Sequence, residues 1–335
     1  MYTQTLKKIF SCLAVSALLI GVGWYTNDWY ERNFIPTDKQ IKRSGFKFIS
    51  PLLDVELPEG YDCRHEPIPF KYKINKFVDQ QLQSGKVREM SVYYRDLSDG
   101  PWFGINEKVK YNPASMMKVP VMAAWLKRAE KDPSVLRLKL TFDRNSIDGP
   151  KQDMKPEQTL KTGVSYTVEE LLRYMMNFSD NRAMSLLFYA LPSEEINNVI
   201  DHMDVATEMN GEHNSITVKS YSGFLRILYN ASFLNEEFSE KALQIMSNQD
   251  FPEGIVGGIP KGVKIASKFG EFRENENPDI IQLHEFGIIY HPNGPYILGI
   301  LTRGKNWKEQ ADIIKSVSAL VYNSVAETGN RNSNH

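Results

Sequence analysis

Asn112-Pro-Ala-Ser-Met-Met-Lys-Val-Pro-Val-Met-Ala-Ala-Trp-Leu126 runs from a turn signal straight into a helical pattern and carries Ser115 and Lys118 three residues apart. Positions i and i+3 are neighbours on one helical face, so the Ser115 hydroxyl stands beside a lysine nitrogen. A helix beginning at or just after Ser115 places unpaired N–H groups and a positive dipole end where an alkoxide or oxyanion would form. A serine hydroxyl needs a base to become a nucleophile, and a neutral lysine is one. Pro120 is compatible with the helix because it lies close to its start. Taken alone, the same pair also reads as an amphipathic helix with a serine near its beginning.

Outward from this stretch, the pattern changes type twice. Residues 74–83 have helical spacing, 87–97 alternate as a strand, 96–100 turn and 102–110 return. Past the 116–131 helix and a turn-rich stretch over 143–163, Thr167-Val-Glu-Glu170 opens a helix with an N-cap and an acidic first turn. Val168, Leu171, Leu172, Met175 and Met176 give that helix one apolar face. Helical patterns continue over 182–190, 193–203, 220–234 and 239–246. Strands return at 261–267, 280–290 and 296–302, the last two joined through His291-Pro-Asn-Gly294, and residues 307–326 close as an amphipathic helix. Strand regions flanking a helical middle predict an α/β chain of the α+β kind. Its antiparallel sheet is built from both chain ends and flanked by helices, with an all-helical subdomain, about 115–250, inserted between them.

The chain has 335 residues, 41% of them hydrophobic and 24% charged, with a formal net charge of −1. That is enough for a sizeable core, and it gives no electrostatic case for nucleic acid. Cys12 and Cys63 are the two cysteines, so no disulfide scaffold is expected, and the six histidines show no zinc-site spacing. No metal or other cofactor is expected.

Residues 9–25 form an apolar run preceded by Lys7 and Lys8 and followed by Asp28 and Glu31, with Trp24, Tyr25, Trp29 and Tyr30 as an interfacial belt. This reads as an uncleaved single-pass anchor with the remainder of the chain outside the cell membrane. The alternative is a signal peptide cleaved near Asn27. The expected organisation is an anchor over 1–26, a Pro-bearing membrane-proximal linker over 27–69, a globular domain over 70–326 and a polar tail over 327–335. Within the linker, Phe46, Phe48, Leu52 and Leu53 are candidates for burial.

Two more short pieces complete a set: Ser179-Asp-Asn181 between two helices and Lys268-Phe-Gly270 on a strand. By themselves they read as a capping turn and a strand end with a glycine. In the order SxxK, SDN, K-x-G they resemble the penicillin-recognising serine hydrolases, specifically the class A β-lactamase branch, over roughly 70–325. The resemblance implies acyl transfer through a covalent acyl-serine. Ser115 would be the nucleophile and Lys118 its proton acceptor or relay. Ser179 would hand a proton to the departing nitrogen, and Asn181 would bind the substrate's side-chain amide. Lys268 would add positive potential, Gly270 would let a substrate backbone approach closely, and the backbone of Glu271 would join that of Ser115 in holding the oxyanion.

Two departures stand against this pattern. Phe269 occupies a position where the family carries Ser or Thr, whose hydroxyl helps bind the substrate carboxylate; its ring is expected either in the core or lining a pocket. Arg273, His284 and Arg303 are possible replacements for that contact, each also readable as solvated or structural. The family's deacylating glutamate, followed four residues later by asparagine, has no counterpart over 204–217, where Glu208 and Glu212 are the acids after Asp204. The expected function is therefore a membrane-anchored, outward-facing serine hydrolase acting on a β-lactam or related amide, with deacylation in doubt. The rival readings are a D-alanyl peptidase or transacylase on cell-wall peptides, and a non-hydrolytic ligand-binding sensor.

Overall fold

The computed structural model describes Gly23, 39–42, 45–56 and 68–332, apart from 99, 144–145, 147–148, 150–151, 203–213 and 249–250. The chain divides into two compact units, 1–41 with 54–64, and 42–53 with 65–335. The described part of the first comprises Gly23 and portions of two short strands, β1 (Lys39–Lys42) and β2 (Leu52–Glu56). The expected anchor over residues 9–25 falls almost wholly outside the described residues.

The second unit is organised by a five-stranded antiparallel sheet in the order β4-β3-β11-β10-β9. Its strands are β3 (Val87–Asp96), β4 (Trp102–Ile105), β9 (Ile265–Arg273), β10 (Ile281–Ile289) and β11 (Tyr296–Gly304). Two come from before the helical middle and three from after it, as expected. Successive side chains on a strand point to opposite faces. Tyr296, Leu298 and Ile300 of β11 thus join one core with α1 (Lys71–Gln83) and α8 (Trp307–Asn332). Ile297 and Leu301 join the other, larger core with the helical middle. That middle holds α2 (Lys118–Lys131), α3 (Val168–Asn177), α4 (Asn181–Tyr189), α5 (Ser193–His202), α6 (Val218–Tyr229) and α7 (Glu236–Met246). It also contains two small ribbons, β5 (Lys110–Tyr111) with β8 (Ile216–Thr217), and β6 (Lys139–Phe142) with β7 (Val164–Thr167), so it is not purely helical.

Local sequence accounts for the elements that carry the site. Helix α2 is apolar on every side from Val119 to Leu126 and is buried accordingly, with Trp125 donating its indole N–H to Leu187 O at 3.1 Å. Thr167 and Glu170 form a reciprocal capping box that starts α3, and the Asp180 carboxylate caps α4 by accepting from Arg182 N at 2.8 Å. Strand β9 departs from expectation: it begins at Ile265 rather than 261. Lys261 and Gly262 form a turn, with Gly262 at φ +95°, before β9 pairs residue for residue with β10 from Ile265 onward. The motif Lys268–Gly270 therefore lies within β9, on an edge of the sheet.

Residues 45–51, part of the expected linker, belong to the second unit and pack within it. The Glu240 carboxylate accepts from the backbone N–H groups of Lys47, Phe48 and Ile49, and Tyr290 donates to Phe48 O at 2.8 Å. Phe48 and Ile49 are buried. A carboxylate holding three successive amides is a nest-type anion site built within one chain.

Candidate active site

The turn that carries Ser115 is tied down on three sides. Asn112 Oδ1 accepts from Ala114 N at 2.9 Å, Gln282 Oε1 of β10 accepts from Asn112 N at 3.0 Å, and Tyr221 donates to Met116 O at 2.9 Å. Residues Ala114–Met117 form a 3₁₀ turn that runs directly into α2, and Ala114 sits at φ +50°. A non-glycine residue there costs of order 1 kcal/mol, offset by these bonds, and such strain gathers at functional sites. Ser179, at φ +55°, is the second strained residue of the site.

Between these two strained points lies the Lys118 nitrogen. It is 3.0 Å from Ser115 Oγ, 3.0 Å from Ser179 Oγ, 2.6 Å from Ser179 O and 2.7 Å from Asn181 Oδ1. An amine has two N–H bonds and a lone pair. In that neutral form the Ser179 carbonyl and Asn181 Oδ1, which are acceptors only, take both hydrogens, and the single lone pair is free to accept from one serine hydroxyl at a time. Lys118 is 2% exposed, and burial pulls its pKa from 10.5 down to about 7, although Asp180 and Glu271 oppose that shift. Near neutral pH a large fraction of Lys118 is thus the free base, in contact with the hydroxyl it would deprotonate.

Lys268 reaches the same serine pair from β9. Its nitrogen is 3.0 Å from Ser179 Oγ and donates to its neighbour's carbonyl, Phe269 O, at 3.0 Å. Burial first, and then the charge of Lys118, push its pKa well below the usual lysine range. Ser179 Oγ therefore bridges two amines, an arrangement that can pass a proton from one side of the cavity to the other. The structure thus brings together Ser115, Lys118, Ser179, Asn181 and Lys268, which the sequence spreads over more than 150 positions.

Gly270 packs against the serine's turn, and Phe269 takes the core, one of its two expected places. A Cβ on Gly270 would meet Met116 Cγ at 3.1 Å, Pro113 O at 3.2 Å and Ala114 Cβ at 3.3 Å. The glycine admits the serine's own turn against the strand. Phe269 is 6% exposed and stacks on Phe251 with ring centroids 4.5 Å apart, in the core shared with α8. It does not line the cavity, yet its ring centroid lies 4.2 Å from the Lys268 nitrogen. Of the three possible replacements for its missing hydroxyl, Arg273 lines the cavity and pairs with Asp153 at 2.7 Å. His284 is buried, with burial pulling its pKa down to about 3, and Arg303 is held by Glu89 and Glu274.

The cavity in front of Ser115 has a volume of about 780 Å³ and is lined in part by Ser115, Lys118, Asn181, Glu271 and Asn214. Three lining or adjacent residues were not singled out from sequence. Gln152 donates to Ser179 O at 2.9 Å, Asp153 pairs with Arg273, and Met154 N donates to both Glu271 oxygens at 3.1 and 3.0 Å. Residues 152–154 thus strap the SDN turn to β9. Their sequence signal is a stretch rich in turn residues, which marks a loop and says nothing of where it goes. Tyr221 supports the turn through Met116, and Tyr111 lies against Ser91 at 3.0 Å. Glu208 and Glu212 lie outside the described residues.

Comparison with known proteins agrees with this geometry. Residues 69–325 match the model of the Beta-lactamase enzyme family. A β-lactamase of Phocaeicola vulgatus is 25% identical over 254 residues, covering 67% of this chain and 76% of that protein. A β-lactamase from Sphaerobacter thermophilus superposes with a TM-score of 0.65 at 18% identity, covering 76% of this chain and 96% of that one. A PBP-A mutant in an acyl-enzyme complex with penicillin G superposes with a TM-score of 0.64 at 21% identity, covering 76% and 96% respectively. With the family match spanning most of its length, this chain belongs to the β-lactamase enzyme family of serine hydrolases.

Proposed function

We propose that the chain is a membrane-anchored, outward-facing hydrolase that acylates Ser115 with a β-lactam or related amide and releases the acyl group slowly. The observation that carries this reading is the Lys118 nitrogen, depressed to about 7 and set 3.0 Å from Ser115 Oγ. In the proposed step Ser115 Oγ attacks the amide carbonyl carbon while its proton passes to Lys118. Backbone N–H groups of Ser115 and Glu271 hold the oxyanion. The carbonyl–nitrogen bond then breaks, and the departing nitrogen takes a proton from Ser179, which Lys118 or Lys268 resupplies. Asn181, on the cavity wall, binds the substrate's amide side chain.

Slow release is supported by residues 204–217, where no glutamate is followed four positions later by asparagine. The same feature, together with the likeness to PBP-A, favours a second reading. In it the acyl-serine of a D-alanyl cell-wall peptide passes to an amine rather than to water. Anchorage is supported by the apolar run at 9–25 behind Lys7 and Lys8. Among the described residues, no helix is long and apolar enough to cross a membrane.

The test is intact-protein mass spectrometry after exposure to benzylpenicillin, read beside the rate of drug loss. A persistent adduct that maps to Ser115, with little turnover, is expected. Rapid loss of drug without an adduct would remove the slow-release part of the proposal, and an unmodified Ser115 with no drug loss would sink the acylation part.

A further inference from the structure

Phe269 departs from the resembled K-x-G pattern, and its ring makes two close contacts. It stacks on Phe251, itself buried, with ring centroids 4.5 Å apart and planes inclined by 23°. The Lys268 nitrogen lies over the same ring, 4.2 Å from its centroid. Lys268 is fully buried, so water does not screen that contact. An ammonium carries three N–H bonds. Ser179 Oγ and Phe269 O, each at 3.0 Å, take two of them, and the negative face of the ring supplies an acceptor for the third. A ring pinned by stacking thus holds an ammonium at one point, and that point is within reach of the Ser179 hydroxyl. Other charges act on the same nitrogen: Lys118, across Ser179, opposes an ammonium there, while Glu285 and Glu271 favour one.

We infer that Phe269 is a positioning residue whose ring holds the Lys268 ammonium against the Ser179 hydroxyl through a cation–π contact. This rests on the acylation reading above and deepens it by giving the position that lacks a hydroxyl a part in the reaction. The ring does not line the cavity, so it acts through Lys268, which can return a proton to Ser179 once the departing nitrogen has taken one. A cation–π contact withdrawn from water is worth roughly tenfold or more in the equilibrium it biases. The rival account of the same geometry is packing alone, in which the lysine stem merely lies along its neighbour's ring.

The experiment separates charge from shape. In the full chain Phe269 is replaced by mono-, di- and trifluorophenylalanine, which nearly keep the ring's shape while draining its negative face stepwise. The rate of Ser115 acylation by benzylpenicillin is expected to fall with each step, about tenfold by the trifluoro ring, with the melting temperature within a few degrees. In a Lys268→Met background the same series is expected to leave the residual rate unchanged. A rate unmoved by fluorination would overturn the inference, and so would an equal fall in both backgrounds, which is the packing result. The same cycle in chemical denaturation needs no reaction: fluorination is expected to lower the unfolding midpoint of the chain that keeps Lys268 but not that of Lys268→Met. No coupling between the two positions there would overturn the inference as well. Failure of the acylation reading would appear separately, as the absence of a Ser115 adduct in the unsubstituted chain.

Discussion

Lys118 and Glu285 are both ionisable side chains withdrawn from water, one beneath Ser115 and the other in the core between β10 and the 3₁₀ turn Ile255–Gly258. Both titrate near 7, and for both the chief cause is burial. Their partners differ. Glu285 accepts from Ile255 N at 2.7 Å and from Ser267 Oγ at 3.0 Å, lies near enough to Lys268 for the two charges to favour each other, and does not line the cavity in front of Ser115. Lys118 is surrounded by acceptors and hydroxyls, and it faces a cavity that a substrate can enter. A shifted pKa alone therefore does not identify a working group. The difference lies in whether the group's lone pair or proton is directed at a reactive atom or consumed in holding two elements together.

The sharpest way to break this contrast is to delete each side. Replacing Lys118 by Met should slow acylation of Ser115 by about 10³-fold, as loss of a positioned base does, while leaving the fold intact. Ser115→Ala should abolish the adduct altogether. Both are read by the rate of adduct formation with benzylpenicillin. Glu285→Ala should do the reverse. It strands the Ile255 N–H and the Ser267 hydroxyl in the core and should cost about 3 kcal/mol of stability, with the acylation rate per folded molecule falling far less than in Lys118→Met, through the lost charge partner of Lys268. Chemical denaturation measures the first quantity and the adduct rate the second.

pH dependence sharpens the contrast through opposite signs. A carboxyl whose pKa rises from 4.5 in the unfolded chain to about 7 in the folded one loses stability as pH rises through that window. A lysine lowered from 10.5 to about 7 carries its full burial cost below pH 7 and recovers stability as pH rises from 7 toward 10.5. Melting curves of Glu285→Gln minus those of the unsubstituted chain should thus diverge between pH 4.5 and 7. Those of Lys118→Met should diverge between 7 and 10.5. Smaller effects follow at the supports. Gly270→Ala, whose Cβ would press on Pro113, Ala114 and Met116, should slow acylation about tenfold by displacing the serine turn. Thr167→Ala, which removes the cap of α3, should cost about 1 kcal/mol and leave acylation unchanged, by denaturation and adduct kinetics respectively.

Much of the frame was legible because it rests on periodicity and capping. The strand at 87–97, the hairpin at His291–Gly294 and the Thr167 cap all depend on residues close in sequence and all form, although β3 is buried without alternation from Met90 to Tyr94 because both faces of the sheet are covered. The start of β9 was misplaced because partnership with β10, not local pattern, sets where a strand begins. Around the site, the lysine beside the serine was visible at helical spacing, whereas its depressed pKa depends on burial contributed by distant elements. The strap 152–154 was invisible for the same reason. Its backbone and side-chain bonds reach residues 27 to 120 positions away, and no local rule encodes such a path. The place of Phe269 depends on packing against Phe251 and Lys268, which its local sequence does not carry.

Whether neutral Lys118 takes the Ser115 proton is tested most directly by the pH profile of the acylation rate constant from pH 5 to 9. With Lys118 as the base, the rate rises with pH through an apparent pKa near 7 and then levels. In Lys118→Met the profile collapses to a low, flat line. A Lys118→Met chain that acylates at the unsubstituted rate with an unchanged profile would contradict that role.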